Sequence, residues 1–359
     1  MTPYDRVWFS GPLARWSSMR RLAARLVIAG MALAAGATAA GCSAAPGLAY
    51  AQGVTSPGSS SSTAATAMVP ASAHPKAVPD GRSLTVVGAP KGVKAKAGIL
   101  VNAATGQVLW ARGETAVRPI ASITKVMTAL VILQAGGLNR KVTVPKPVTA
   151  YVAKYGGNAA GLIPGQVFTV DELMHAMLIV SAADAAYTLA NAYGPGLPAF
   201  IAKMNAEAAK LGLAHTHFTS PDGLPYPTET STFSTPAELV RLGETAMGYQ
   251  EFRSIVALHT YNIPKGAGHT AYSFTSSNEL IGKYAGVVGI KTGFTNAAGH
   301  TLLFEAVRDG RTLIGDVLGS PPSGPASGAQ DAARVLTWGF SLKQSTQHQP
   351  TSHQPTSHS

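Results

Sequence analysis

The sequence is poor in cysteine and in charged side chains, and both shortages limit what the chain can be. Cys42 is the only cysteine among 359 residues, so no disulfide can form within the chain. Charged residues make up 13% of the sequence and apolar residues 46%, which is enough to bury a sizeable core. The formal charge is +11, which favours contact with anionic polymers or lipid head groups. No nucleic-acid-binding motif is present, so no nucleic-acid partner is predicted.

Residues 1–51 have the order of features found in a signal peptide. A cluster of arginines precedes an uncharged apolar run at 26–40, which is too short to be a comfortable membrane span. Ala49-Tyr50-Ala51 then gives the small-x-small pattern that a signal peptidase reads. An alternative cut is a weak lipobox ending at Cys42, where a lipid would tether the protein to the outer leaflet of the membrane. Both alternatives predict an exported protein.

The rest of the chain divides into a central domain and low-complexity segments. Residues 52–82 are rich in Ser, Thr, Gly, Pro and Ala, which predicts a disordered linker. Residues 344–359 contain two copies of His-Gln-Pro-Thr-Ser and are predicted to be a disordered tail. The domain between them spans 83–343.

Strand-like runs lie near both ends of this domain, and helical runs lie between them. The strand-like runs are 96–102, 107–111, 286–290, 301–308 and 312–318. Helices are predicted at 121–135, from Thr169 to about Val180, from about Asp184, from about Leu197 to Gly212, and at about 329–340. This order favours an α+β fold in which helices cover an antiparallel sheet, with a mostly helical subdomain.

Ser122-Ile123-Thr124-Lys125 opens the first predicted helix with a hydroxyl and an amine three residues apart. Positions i and i+3 lie on one face of a helix, so Lys125 is expected beside the Ser122 hydroxyl. A serine nucleophile needs an adjacent base, and a lysine can serve when burial keeps it neutral. The helix is apolar nearly all round, which suits such burial. Taken alone, however, the four residues are better explained by an N-cap serine and a solvated lysine.

Lys291-Thr292-Gly293 follows the strand-like run at 286–290 and is therefore expected at a strand edge. There Lys291 and Thr292 could grip a substrate carboxylate, and Gly293 would let the substrate backbone approach. A strand end followed by a turn glycine is the plain structural alternative.

Ser181 lies at the junction of two predicted helices, where its side chain could face a cleft. The structural alternative is strong here, because Ser181-x-x-Asp184 has the spacing of a capping box. Residues 151–161 lead into Ser181 and are predicted to be a loop over the cleft.

The three motifs in this order resemble those of penicillin-binding proteins and serine β-lactamases. Their flanks, at 119–129, 218–224, 233–239 and 289–299, resemble the D-alanyl-D-alanine carboxypeptidases of peptidase family S11 over about residues 85–342. The resemblance implies a β-lactamase/transpeptidase-like fold and removal of the terminal D-alanine from peptidoglycan stem pentapeptides. It also implies inhibition by β-lactams, a role in cell-wall biogenesis and cell shape, and no metal or organic cofactor.

The resemblance assigns a role to each motif residue. Ser122 would attack the carbonyl between two D-alanines, and Lys125 would take its proton. The backbone N–H groups of Ser122 and Phe294 would hold the oxyanion. Lys291 and Thr292 would hold the terminal carboxylate, with Gly293 beside them in the same substrate-binding strand.

Ser181 would relay a proton to the leaving D-alanine, but its motif departs from the family pattern. The family reads Ser-x-Asn, whereas Ala183 has no side-chain hydrogen bond to offer. Water or Asn158 could fill the gap; otherwise the chain would be a catalytically impaired penicillin- or muropeptide-binding protein, which is a second hypothesis. A β-lactamase is a weaker third, because Glu172 is the only Glu between the first two motifs and fits a helix cap.

Overall fold

A computed structural model describes residues 83–322 and 327–344. The predicted signal peptide, the lipobox at Cys42, the linker and residues 345–359 lie outside the described residues. Gln344, assigned above to the tail, pairs with Leu84 in a short antiparallel ribbon. Leu84 and Leu342 are buried in the same apolar cluster, and this burial holds the two segments side by side.

The order of elements follows the predicted strand–helix–strand pattern. The strands are β1 (Leu84–Thr85), β2 (Ala97–Asn102), β3 (Gln107–Arg112), β4 (Arg118–Pro119), β5 (Lys141–Thr143), β6 (Val167–Thr169), β7 (Phe233–Ser234), β8 (Thr260–Ile263), β9 (Tyr272–Thr275), β10 (Val287–Thr295), β11 (Gly299–Arg308), β12 (Arg311–Ser320) and β13 (Lys343–Gln344). The helices are α1 (Lys125–Ala135), α2 (Val148–Tyr155), α3 (Val170–Ile179), α4 (Ala183–Tyr193), α5 (Leu197–Lys210), α6 (Pro236–Met247), α7 (Gln250–Val256) and α8 (Ser327–Ser341).

A five-stranded antiparallel sheet joins the two ends of the domain. Its strand order is β10-β11-β12-β2-β3, so the C-terminal strand β12 pairs with the N-terminal strand β2. Asp309 and Gly310 connect β11 to β12 with φ of +51° and +71°, as a tight hairpin turn requires. The predicted antiparallel sheet is therefore confirmed, with β10 as one of its edges.

Helices cover both faces of this sheet. On one face α8 places Leu336 against an apolar cluster that includes Phe304 of β11 and Leu313 of β12. A larger cluster on the opposite face contains α1 and α6, together with Ile290 of β10. Because α1 is apolar on every side, it lies inside this cluster, as expected of a helix without a polar face. The α+β prediction with helices over a sheet is confirmed. No helix within 83–322 or 327–344 has the length and apolarity needed to cross a bilayer.

Three local predictions need correction. The helix predicted from Ala121 begins with a 3-10 turn, Ala121–Thr124, because Ala121 has a φ of +47° that an α-helix cannot contain. The loop predicted at 151–161 starts only at Gly156, since Tyr151 and Tyr155 lie one turn apart on α2 with their rings in contact. The strand predicted to end at residue 290 continues to Thr295, because its pairing with β11 persists to Gly299.

Candidate active site

The Ser122 hydroxyl and the Lys125 amine are direct neighbours. Ser122 lies in the 3-10 turn and Lys125 is the first residue of α1, so the side chains are one turn apart. Lys125 Nζ is 2.9 Å from Ser122 Oγ and donates to the backbone carbonyl of Asp222, also at 2.9 Å. The lysine is 1% exposed. The solvated lysine of the structural alternative is therefore wrong.

Burial changes the protonation of Lys125. Loss of solvent around the amine lowers the pKa of Lys125 from its ordinary 10.5 to about 8, although the Asp222 and Asp184 carboxylates favour the charged form. Near pH 8 about half of the molecules therefore hold a neutral amine beside the Ser122 hydroxyl. A neutral amine in that position can accept the hydroxyl proton.

Ser181 faces the cleft and does not cap α4. The residue before α4 is Ala182, and no side chain caps that helix. Asp184 instead accepts hydrogen bonds from the backbone N–H groups of Ala160 and Leu162, which fastens the segment after α2 to the start of α4. The capping-box alternative for Ser181 is therefore wrong, and its side chain lines the same cleft as Ser122.

The backbone is strained at two positions in this site. Among the described residues, the non-glycine residues with positive φ are Ala121, Ser181 and Asp309. Asp309 belongs to the hairpin turn, whereas Ala121 immediately precedes Ser122 and Ser181 lines the cleft. Strain of this kind persists only where the surrounding structure enforces it, and it concentrates at functional sites.

Edge strand β10 forms the opposite wall of the cleft. Thr292, Gly293 and Phe294 line it, and the Thr292 hydroxyl lies 2.8 Å from Ser277 Oγ. Lys291 is 1% exposed and lies behind this wall, where its amine donates to the Thr292 carbonyl at 3.0 Å. Burial, together with the nearby positive charge of Lys125, holds the pKa of Lys291 well below its usual range.

Gly293 allows β10 to pass directly beside the Ser122 backbone. A Cβ atom at this position would lie 2.6 Å from Thr301 Oγ1, 2.9 Å from Ser122 N and 3.0 Å from Ile120 O. Only glycine fits such a close approach. The strand and the 3-10 turn thus meet beside the Ser122 N–H, which the family resemblance predicts to be one of two oxyanion donors.

We expect Gly293→Ala to lower kcat/KM by about 100-fold or more, because the added methyl group pushes the oxyanion donors apart. The measurement compares the catalytic rates of the variant and the parent, with thermal unfolding as a check that the fold persists. Gly310→Ala is the control for a methyl group added outside the cleft: a Cβ there meets nothing within 4 Å, although the φ of +71° strains the hairpin turn. Equal activity of Gly293→Ala and the parent would contradict this geometry.

Ala183 occupies the position where an amide side chain was expected. Its backbone N–H donates to the Asn158 carbonyl at 2.8 Å, and the Asn158 side chain lies 3.4 Å from the Val180 carbonyl. Asn158 and Ala183 both line the cleft. The segment after α2 thus brings a different amide to the wall that Ala183 leaves bare.

The cleft has a volume of about 440 Å³ and includes side chains that no motif pointed to. Ser277, Glu279 and His300 are among them. They come from a loop and from the second residue of β11, and only the folded chain brings them to Ser122. Within the described residues, no group of three or more His, Cys, Asp or Glu side chains is placed to hold a metal ion.

The sequence is similar to a family of known enzymes. The profile described as D-alanyl-D-alanine carboxypeptidase, peptidase family S11, matches residues 84–322. A D-alanyl-D-alanine carboxypeptidase of Streptomyces sp. strain K15 is 37% identical over 262 residues, covering 70% of this chain and 88% of that protein. One from Mycobacterium tuberculosis is 37% identical over 245 residues, covering 68% of this chain and 81% of the relative.

Solved structures agree with the sequence matches. The Streptomyces K15 DD-transpeptidase has a TM-score of 0.67 and 35% identity, covering 71% of this chain and 100% of that one. A D-alanyl-D-alanine carboxypeptidase from Mycobacterium tuberculosis has a TM-score of 0.64 and 36% identity, covering 74% of this chain and 96% of that one. These similarities confirm the predicted β-lactamase/transpeptidase-like fold.

Proposed function

The chain belongs to the D-alanyl-D-alanine carboxypeptidases of peptidase family S11, and we propose that it removes the terminal D-alanine of peptidoglycan stem peptides through an acyl-enzyme on Ser122. The observation that supports these residue roles is the buried Lys125 amine 2.9 Å from the Ser122 hydroxyl. The hypothesis of an impaired binding protein receives no support from the family and its named relatives.

In the first half-reaction, Ser122 Oγ bonds to the carbonyl carbon between the two D-alanines while the neutral Lys125 amine takes its proton. The N–H groups of Ser122 and Phe294 stabilise the oxyanion that forms. Collapse of this intermediate breaks the peptide C–N bond. The proton passes from Lys125 through the Ser181 hydroxyl to the leaving amine of D-alanine.

In the second half-reaction, water attacks the ester carbon while Lys125 accepts a proton from that water. The ester C–O bond breaks, Ser122 recovers its proton, and the peptide leaves one residue shorter. In this step water is the nucleophile and Ser122 Oγ is the leaving group, and Lys125 again serves as the proton acceptor. One similar structure is that of a DD-transpeptidase; in a transfer reaction, an amine takes the place of this water.

The β10 wall is suited to the terminal carboxylate of the substrate. The Thr292 and Ser277 hydroxyls are 2.8 Å apart at this wall and can both donate to an anion. Lys291 lies directly behind Thr292, and an arriving carboxylate would favour its charged form. Lys291 therefore acts on the carboxylate mainly through its charge and through Thr292, and Gly293 leaves room for the substrate backbone.

Asn158 supplies the amide that Ala183 lacks. We expect Asn158→Ala to lower kcat/KM for peptide about fivefold to tenfold, the loss of one neutral hydrogen bond in the cleft. Adding Ala183→Asn to that variant should restore most of the activity, because the amide returns to the same wall. Steady-state assays on the parent, both single variants and the double variant test this. A double variant no more active than Asn158→Ala would contradict the claim that the Asn158 amide replaces the one missing at position 183.

The decisive assay for the function is D-alanine release from a stem pentapeptide ending in D-Ala-D-Ala. We expect release of one D-alanine per peptide, and none from the tetrapeptide with a single D-alanine. Adding glycylglycine as an acceptor separates hydrolysis from transfer, since transfer gives a longer peptide. Absence of both products at high enzyme concentration would overturn the proposal.

The site of action is part of the same proposal. Stem peptides are outside the cytoplasmic membrane, so the enzyme must be exported to reach them, and β-lactams should inhibit it by acylating Ser122. Cleavage after Ala51 and a lipid tether at Cys42 are the competing predictions for the N-terminus. Intact mass of the mature protein distinguishes them: cleavage leaves Gln52 at the N-terminus, whereas lipidation leaves a modified Cys42.

A further inference from the structure

Tyr151 and Asp222 form a hydrogen-bonded pair directly behind Lys125. The Tyr151 hydroxyl donates to Asp222 Oδ2 at 2.9 Å, and the backbone carbonyl of the same aspartate accepts the Lys125 amine at 2.9 Å. Asp222 is fully buried. Lys125 therefore lies between this pair and the Ser122 hydroxyl, and the proposed reaction gives the pair no role.

The loop that carries Asp222 is fixed against the catalytic turn. A Cβ on Gly223 would lie 1.9 Å from the Ala121 carbonyl oxygen, and its φ of +78° also requires glycine. Thr128 Oγ1 of α1 donates to the Pro221 carbonyl at 2.6 Å. The Asp222 carbonyl therefore has a defined position relative to α1, and it aims the Lys125 amine at Ser122.

The Asp222 carboxylate has few groups to stabilise its charge. Within the described residues, its hydrogen-bond donors are the Tyr151 hydroxyl and the Leu224 N–H, the latter at 3.0 Å. A buried carboxylate with few donors is costly, and removing one of them leaves the charge poorly compensated. Burial and then the Asp222 charge raise the pKa of Tyr151, so the tyrosine remains a donor.

Tyr151 itself is held by an aromatic cluster. Its ring lies 5.1 Å from the Tyr155 ring and 4.7 Å from the Tyr187 ring. Tyr155 contacts Tyr226 at 5.3 Å and lines the cleft. The cluster therefore links the cleft wall to the carboxylate behind the lysine, and of its four tyrosines Tyr151 is the one that donates a hydrogen bond to that carboxylate.

We propose that Tyr151 and Asp222 are positioning residues that hold the Lys125 amine on Ser122 and set the pH range over which it works as a base. The proposal rests on the base role given to Lys125 above. The charged or titratable groups facing Lys125 are Asp222 from the loop, Asp184 from α4 and Lys291 from β10. Of the two carboxylates, Asp222 favours the charged amine more strongly.

The direction in which the pH profile moves follows from the protonation state that Lys125 needs to act as a base. Lys125 accepts a proton only when neutral, so kcat/KM should rise with pH through the pKa of Lys125, near 8. The Asp222 charge stabilises the ammonium form. Asp222→Asn removes that charge, so the pKa of Lys125 should fall and the midpoint should move to lower pH by about one unit.

We expect a different result from Tyr151→Phe than from Asp222→Asn. The Asp222 charge remains but loses one of its donors, so the midpoint should not move to lower pH. The carbonyl that aims the amine is held less firmly, and we expect kcat to fall about tenfold with little change in KM. Tyr187→Phe is the matched control, since its ring packs on Tyr151 but it makes no hydrogen bond to Asp222.

Two readouts keep this test separate from the test of the proposed function. The pH profile is measured once with the D-Ala-D-Ala peptide and once as the rate of acylation by a fluorescent penicillin, which needs Lys125 but not peptide turnover. Thermal unfolding shows whether each variant is folded. If Asp222→Asn does not fold, Tyr151→Phe still tests the proposal. An Asp222→Asn midpoint equal to that of the parent, or a Tyr151→Phe rate equal to that of Tyr187→Phe, would overturn the proposal.

Discussion

Ser122→Ala abolishes D-alanine release, with an expected loss of about a millionfold in kcat. The variant has no hydroxyl to form the acyl-enzyme, and within 83–322 and 327–344 Ser122 is the hydroxyl that hydrogen-bonds to the Lys125 amine, at 2.9 Å. What activity remains would come from substrate positioning and from oxyanion stabilisation of direct attack by water. Release of D-alanine from the stem pentapeptide, followed at high enzyme concentration, measures the loss.

A matched serine variant separates catalysis from folding. Ser254 is an exposed serine on α7 whose hydroxyl donates to the Glu251 carbonyl, so Ser254→Ala should retain the parent rate. Ser122→Ala should unfold at close to the parent temperature, because it removes one partly exposed hydroxyl. Turnover by Ser122→Ala within tenfold of the parent would assign the nucleophile to another residue.

Lys125→Met lowers kcat/KM by about a thousandfold to ten-thousandfold, the upper range for a general base. The methionine side chain fits the same apolar surroundings, because Lys125 is 1% exposed and enclosed by the larger apolar cluster. The fold should therefore persist while the proton acceptor is lost. The assay is again D-alanine release, followed across the pH range where the parent rate rises.

Lys125→Arg tests whether basicity or charge is the property that matters. Arginine retains the positive charge but stays protonated at every accessible pH, so it cannot accept the Ser122 proton. We expect Lys125→Arg to be nearly as inactive as Lys125→Met. A Lys125→Arg variant with substantial activity would show that position 125 contributes charge rather than a base.

The local parts of this site could be predicted from the sequence. Residues three apart on a helix share a face, so the spacing allowed a contact between Ser122 and Lys125. The order of the three motifs then favoured that contact over an N-cap serine and a solvated lysine. The nearly all-apolar surroundings of α1 suited burial of Lys125 but did not by themselves decide it. The capping box at Thr169 and Glu172 also follows from local pattern, and the structure contains both of its hydrogen bonds.

The contacts between residues far apart in the sequence could not be predicted, because hydrophobic periodicity relates only residues within the same helix or strand. Tyr151 and Asp222 are 71 positions apart, and Lys125 and the Asp222 carbonyl are 97 apart. Ser277 reaches Thr292 from a loop with no motif of its own. Such contacts are set by tertiary packing, in which each group finds its partner only after the sheet and helices have assembled.

Ser181 shows why a pattern alone could not decide between two structures. The spacing to Asp184 fits a capping box, and the family resemblance fits a side chain in a cleft. The outcome depends on what else the Asp184 carboxylate can bind, and here it accepts the N–H groups of Ala160 and Leu162. With that carboxylate occupied, Ser181 adopts a left-handed backbone, with φ of +65°, and lines the cleft.

The most direct measurement is mass mapping of the protein after brief treatment with penicillin. An acyl adduct should form with one equivalent per chain, lie on the peptide that contains Ser122, and form faster as pH rises through about 8, where Lys125 loses its proton. Ser122→Ala should take up none. An adduct located on Ser181 or elsewhere, or no adduct on a folded protein, would contradict the assignment of Ser122 as the nucleophile that Lys125 activates.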